Sequence, residues 1–268
     1  MKKITLIFLV TVNFASAYAQ KLPNVQQVSL RAPAKVIIDG KAEEWGEQLQ
    51  AYNSTSDISY TISNDNNALF LVIQAKDVNV INTIFGYGFE FAIHRSGRKI
   101  NTDKISVNYP VNPNQWANTF RKNDVSSDAS ASVAAEKMNA NNKRLEKLKK
   151  IIVSGIPGLD TISIYNEAGI MAACQFDVNG IYTVEFAIPL KHLGLAGNSG
   201  STFSYHMTVN GYVAPKNYTI GATPNIPGMP PAPQLTPAEI EQGIAELNAR
   251  IYARNPRTDF WGEYTLAK

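Results

Sequence analysis

Val36-Ile37-Ile38-Asp39-Gly40-Lys41-Ala42-Glu43-Glu44-Trp45 joins a β-branched run, a turn and a short acidic segment that closes on a large aromatic. Branched side chains pack well on a pleated surface, so the run suits extended backbone. Asp-Gly tolerates the positive φ of a tight turn. Trp45 can then pin the acidic segment against a sheet. This is the entry expected of an all-β sandwich. Phe260-Trp261-Gly262-Glu263 supplies a second aromatic strand near the far end, and no recognisable catalytic motif stands between them.

Outward from that entry, strand signals recur at short intervals. Ile58-Ser59-Tyr60-Thr61-Ile62 alternates, Asn64-Asp65-Asn66-Asn67 has turn composition, and Leu69-Phe70-Leu71-Val72-Ile73 follows, which predicts a hairpin. Its second strand is apolar on both faces and belongs in the middle of its sheet. Tyr87, Phe89, Phe91 and Ile93 alternate with smaller or polar residues, and Ile105-Ser106-Val107-Asn108-Tyr109 is the expected partner. Further strands are predicted at 162–164, 169–176, 182–188 and 202–213, with Asn179-Gly180 as a type I′ hairpin signal. There is no βαβ rhythm and no internal repeat. The fold class is therefore all-β: a two-sheet antiparallel, jelly-roll-like β-sandwich carrying two helices.

Those helices interrupt the pattern. Ala134, Met138, Leu145, Leu148 and Ile152 place one apolar stripe on a helical insertion over about 127–152. Pro224, Pro227, Pro230, Pro231 and Pro233 forbid helix and sheet alike, so that stretch should run extended. Thr236-Pro237-Ala238-Glu239 then forms a capping box with Pro at the first helical position. Ile240, Ile244, Leu247 and Ile251 give this second helix an apolar face expected to pack on the sandwich, and Asn255-Pro256 ends it. The Pro-rich segment and helix together occupy about 223–255.

The first residues belong to none of this. Lys2 and Lys3, the apolar stretch 4–14 and Ala17-Tyr18-Ala19 make a secretory signal peptide over 1–19, cleaved before Gln20. No Cys lies near the cleavage site, so a lipoprotein is not expected. The assignment is a signal peptide at 1–19, a lead-in at 20–33 and one sandwich domain at 34–268, secreted or periplasmic. The apolar runs elsewhere are too short to span a bilayer. Removing Lys2 and Lys3 lowers the formal charge from +3 to +1. That balance offers no basic surface for nucleic acid. The lone Cys174 lies among small and apolar residues, where a buried thiol is expected and not a nucleophile.

The Ile38-Asp39-Gly40…Trp45 entry, the 60–75 hairpin, Glu185-Phe186-Ala187-Ile188-Pro189-Leu190…Leu193-Gly194 and the terminal Phe260-Trp261-Gly262 strand occur in an order that resembles the family 9 carbohydrate-binding modules and the wider DOMON-like sandwiches. The similarity is scattered over most of 34–268. It implies two packed antiparallel sheets, an exported setting and often a sugar ligand, gripped in that family by a pair of aromatic side chains. Trp45 and Trp261 coincide with positions that look like parts of the fold's own core, so the resemblance assigns no such pair here.

For a site, Trp116 stands out, since Val111-Asn112-Pro113-Asn114-Gln115-Trp116 is a polar, turn-rich loop. A large aromatic there is either a flap over the core or an exposed platform. As a platform, Trp116 would meet the C–H face of a sugar, with Tyr109 at the same end. Asn112, Asn114, Gln115 and Asn118 would serve its hydroxyls. Asp39, Asp65 and Asp77 sit at strand edges, where Asx-turns are ordinary and a structural calcium is the rarer use. No zinc spacing, HExxH or GxSxG occurs, so a catalytic site is not expected. The expected function is a non-catalytic glycan-binding module for a polysaccharide or oligosaccharide. The first rival is a cell-envelope scaffold whose 223–255 segment contacts another protein. The second is a haem-binding DOMON-like domain, though His206 and Met207 are adjacent strand residues and point to opposite faces.

Overall fold

The computed structural model describes residues 21–46, 49–96, 103–113, 119–126, 130–195, 200–214 and 236–268. Eleven strands fall among them: β1 Ala51–Asn53, β2 Ile58–Asn64, β3 Ala68–Ala75, β4 Phe89–His94, β5 Lys104–Tyr109, β6 Lys150–Ser154, β7 Thr161–Ser163, β8 Met171–Phe176, β9 Tyr182–Pro189, β10 Thr202–Val209 and β11 Thr258–Thr265. They form two antiparallel sheets, in the orders β1-β2-β3-β9-β8 and β11-β10-β4-β5-β6-β7. The predicted sandwich is the fold.

Period-two alternation decides which side chains lie between the sheets. Tyr60 and Ile62 of β2, Leu71 and Ile73 of β3, and Val184 and Phe186 of β9 face Phe89, Phe91 and Ile93 of β4 and Phe203, Tyr205 and Met207 of β10, all of them buried. The Tyr60 and Tyr205 hydroxyls meet 2.9 Å apart across the interior, so each buried phenol satisfies the other. β3 is central, as its two-faced apolar run predicts. Its outward Phe70 and Val72 join Trp45, Leu49 and Ala187 in a second apolar cluster, covered by Val36, Ile38 and Ala42 of the entry.

Both flanks of the five-stranded sheet are closed by side-chain amides. Gln26 Nε2 donates to Ile62 O (2.8 Å) and its Oε1 accepts from Ile62 N (2.7 Å), where β1 no longer pairs β2. On the other flank Asn142 Nδ2 donates to Phe176 O (3.0 Å) and Oδ1 accepts from Phe176 N (2.7 Å). The described part of the lead-in, 21–33, is thus built into the sheet margin, where Arg31 also makes a parallel bridge to Asn64.

Four α-helices accompany the strands among the described residues: α1 Val78–Tyr87, α2 Ala131–Leu145, α3 Leu190–Leu193 and α4 Pro237–Arg254. α1 is absent from the sequence reading, and Tyr87 closes this helix instead of opening β4. The helical insertion is shorter than predicted. Leu148 lies beyond α2, and Ile152 belongs to β6, where Ile151 and Val153 point inward as Ile152 points out. α4 has the predicted capping box, with Thr236 Oγ1 accepting from Glu239 N at 3.3 Å. Its apolar stripe is not packed away, however. No residue of α4 is buried, and Leu247 is 46% exposed. The Asn179-Gly180 hairpin joins β8 to β9, but only Gly180 has positive φ (75°). It is a three-residue loop with a glycine bulge, not a type I′ turn.

Candidate functional site

The Asp39-Gly40 turn crosses the outer face of the five-stranded sheet and is fastened there by one carboxylate. Glu185 of β9 points outward from the sheet yet has no solvent exposure. Its Oε2 accepts from Gly40 N (2.8 Å) and Asp39 N (3.1 Å), and its Oε1 accepts from Trp45 Nε1 (2.8 Å). Burial pushes the Glu185 pKa up to about 7, against the pull of those three donors. Gly40 has φ +87°, and a Cβ there would overlap the backbone of Cys174 and Gln175 on β8. Only glycine lets the turn lie this close. The quoted entry is therefore a strap across the sheet, with Trp45 filling the outer apolar cluster.

The strap covers part of that face. Beside it the next cross-strand row, Gln74–Thr183–Gln175, lies in register across β3, β9 and β8. This row lines a cleft of about 620 Å³. One wall is the strap, residues 40–43 with Gly46 and Leu49. The other is Met138 of α2 with Val178 and Ile181 of the β8–β9 turn, and Lys76 stands at the end of β3. Gln74 Nε2 donates to Thr183 Oγ1 (3.3 Å) and Gln175 Nε2 donates to Asp39 O (2.8 Å). These bonds fix the rotamers and leave both amide oxygens and the threonine proton for a guest. The cleft thus combines neutral donors and acceptors with aliphatic walls and the charged Lys41, Glu43, Lys76 and Asp177.

A second cleft of about 610 Å³ adjoins the first, sharing Lys76 and Ile181. Asp77 and Asn79 at the start of α1, Lys122, Val125 and Gly180 also line it.

The sequence-predicted site residues fare differently. Trp116, Asn114, Gln115 and Asn118 lie outside the described residues. Tyr109 was expected at the surface and is a core residue, 3% exposed, with its hydroxyl donating to Leu148 O (3.2 Å). It sits on the inward side of β5, T-shaped against Phe186, so it offers no face to a ligand. Cys174 is buried 3.5 Å from that hydroxyl, and burial pushes its thiol pKa up, as an inert core thiol requires. Trp45 is in the outer cluster, as expected. Trp261 is not in the core: it is half-buried on the outward face of β11, stacked on His206 at 4.2 Å.

His206 Nε2 lies 2.7 Å from Asp259 Oδ2, while Met207 is fully buried on the opposite face of the strand. The two therefore do not face one iron. The Oδ1 atoms of Asp39, Asp65 and Asp77 accept from backbone N–H groups two residues on, at 2.9, 2.7 and 2.8 Å. These are Asx-turns. Among the described residues no helix is long and apolar enough to cross a membrane. The cleft residues Gln74, Thr183 and Gln175 escaped sequence reasoning, since only the strand register brings them together.

No family model matches the sequence, and no curated protein matches it. Among solved structures the chain is similar to a family 9 carbohydrate-binding module from Caldicellulosiruptor kristjanssonii, in complex with glucose. The TM-score is 0.34 at 12% identity, over 68% of this chain and 76% of that one. That is the first of the two families the sequence resembles; a likeness of this degree assigns no ligand.

Proposed function

We propose that the protein is a non-catalytic glycan-binding module that holds a sugar over the Gln74–Thr183–Gln175 row. The carrying observation is that row on the floor of the 620 Å³ cleft, a volume within the roughly 300–1,000 Å³ of small-molecule sites. A sugar presents hydroxyls at its rim and C–H groups on its faces. The neutral row suits the first, and Leu49, Val178, Ile181 and Met138 suit the second. Glu185 is turned to its own chain and supplies no acid to the cleft. Trp116, with Asn114 and Gln115, is proposed as an additional aromatic platform of the same exported module.

Glycan-array binding followed by titration calorimetry tests this. The double variant Gln74→Ala/Thr183→Val should lose about thirtyfold in affinity for whichever glycan the wild type retains, as about 2 kcal/mol of lost hydrogen bonding implies. Its melting temperature should change little. Trp116→Ala should likewise weaken retention without lowering the melting temperature. A broad array that retains no glycan, or a double variant that binds as the wild type does, sinks the cleft as a sugar site.

A further inference from the structure

We infer that the glycan is acidic, with a uronate-type carboxylate engaged by Lys76 and Lys122 in the second cleft; this rests on the glycan reading above. The two clefts share Lys76 and Ile181, so a ligand longer than one sugar ring runs from the neutral row into the second. There the charges are unequally committed. Asp77 Oδ1 accepts from Asn79 N (2.8 Å) and Val80 N (3.2 Å) as the cap of α1. Asp177 Oδ1 accepts from Asn179 N (2.9 Å) and Ile181 N (2.8 Å) inside the β8–β9 turn. Each carboxylate thus has one oxygen committed to backbone N–H groups; Asp77 lines the second cleft, where it faces two lysines, and Asp177 lines the first.

The lysines are not so engaged. Lys41 pairs with Asp39 at 3.4 Å, and Lys104 with Glu90 at 2.6 Å. Neither Lys76 nor Lys122 has a carboxylate within 4.0 Å among the described residues. Both line the second cleft, beside the first turn of α1, whose dipole adds positive potential. Two uncommitted ammonium groups in one cleft, next to a row of neutral donors and acceptors, suit a chain that mixes hydroxyls with a carboxylate.

The test uses the full chain and uronate-containing oligosaccharides, each paired with its carboxyl-reduced neutral counterpart, measured by calorimetry. The acidic member should bind roughly tenfold more tightly, taking each exposed ion pair at about fivefold or less. That preference should vanish in Lys76→Ala/Lys122→Ala and shrink at high salt. Both lysines are exposed, so this variant should melt as the wild type does. Equal binding of the two members overturns the acidic inference and leaves the glycan reading standing. Selective binding of sulfated but not carboxylated chains overturns the carboxylate assignment alone. If no member of any pair binds, the glycan reading falls and this inference falls with it.

Discussion

Glu185→Ala is expected to destabilise the protein by about 3–5 kcal/mol near pH 5, because two buried donors, the Trp45 indole and the Gly40 amide, lose their acceptor at once. The indole N–H of Trp45 and the amide of Gly40 donate to Glu185, whereas the Asp39 amide also reaches Ile37 O at 3.1 Å. The penalty should depend on pH in a defined sense. The folded-state pKa of about 7 lies above the usual 4.5. Below about pH 4.5 both folded and unfolded chains hold the proton, and this stabilising contribution is fully present. As pH rises toward 7 the unfolded chain ionises first, so stability falls, by about 3 kcal/mol once pH exceeds the folded value. Chemical denaturation from pH 4.5 to 8 should therefore show a decline in the wild type that Glu185→Gln lacks. A decline of the same size in that variant would assign it to other groups. The deficit of Glu185→Ala should narrow across the same range.

Gly40→Ala should produce the second large effect, about 2–4 kcal/mol. The new Cβ would be strained at φ +87° and would overlap the backbone of Cys174 and Gln175. The strap must lift from β8, which weakens both N–H contacts to Glu185 and moves a wall of the cleft beside it. Gly46→Ala is the control. Its φ is +81° but nothing lies within 4 Å of the added methyl, so only the backbone strain of about 1–2 kcal/mol applies, without the overlap. Thermal melts of the two variants should separate by several degrees. Coincident melts would show that the close approach to β8 carries no energy, and the strap would then be loosely held.

The sandwich was legible because its strands report their own burial. Leu69-Phe70-Leu71-Val72-Ile73 is apolar at every position because β3 has a neighbour on each face, the core inside and the strap outside. Val78-Asn79-Val80-Ile81-Asn82-Thr83-Ile84 drew no assignment. Its β-branched content favours a strand, yet Asp77 caps a helix there and Ile81 and Ile84 reach the core one turn apart. β6 was hidden because Ile152 continues the apolar spacing of α2. The site was nearly illegible. Gln74, Thr183 and Gln175 are ordinary outward polar residues in three separate strands, about a hundred residues apart at the extremes. Their meaning comes from register, which no local pattern encodes. Trp261 looked like core because aromatics in strands usually are, whereas here the inward place beside it is taken by Tyr205 lying over Gly262.

A side-chain amide can present an N–H donor and a C=O acceptor side by side on a planar frame, as the edge of a strand does. Gln26 and Asn142 use that equivalence to end the five-stranded sheet on both flanks without a further strand. An incoming chain that tried to extend the sheet at Ile62 or Phe176 would find the docking groups already occupied. Ile62 and Phe176 thus offer no open backbone pair to a strand of another copy. Gln26→Leu and Asn142→Leu would uncover one flank each, and light scattering during prolonged incubation should show self-association where the parent stays monodisperse. Scattering that stays flat in both variants would mean that the flanks are guarded by something other than these two amides.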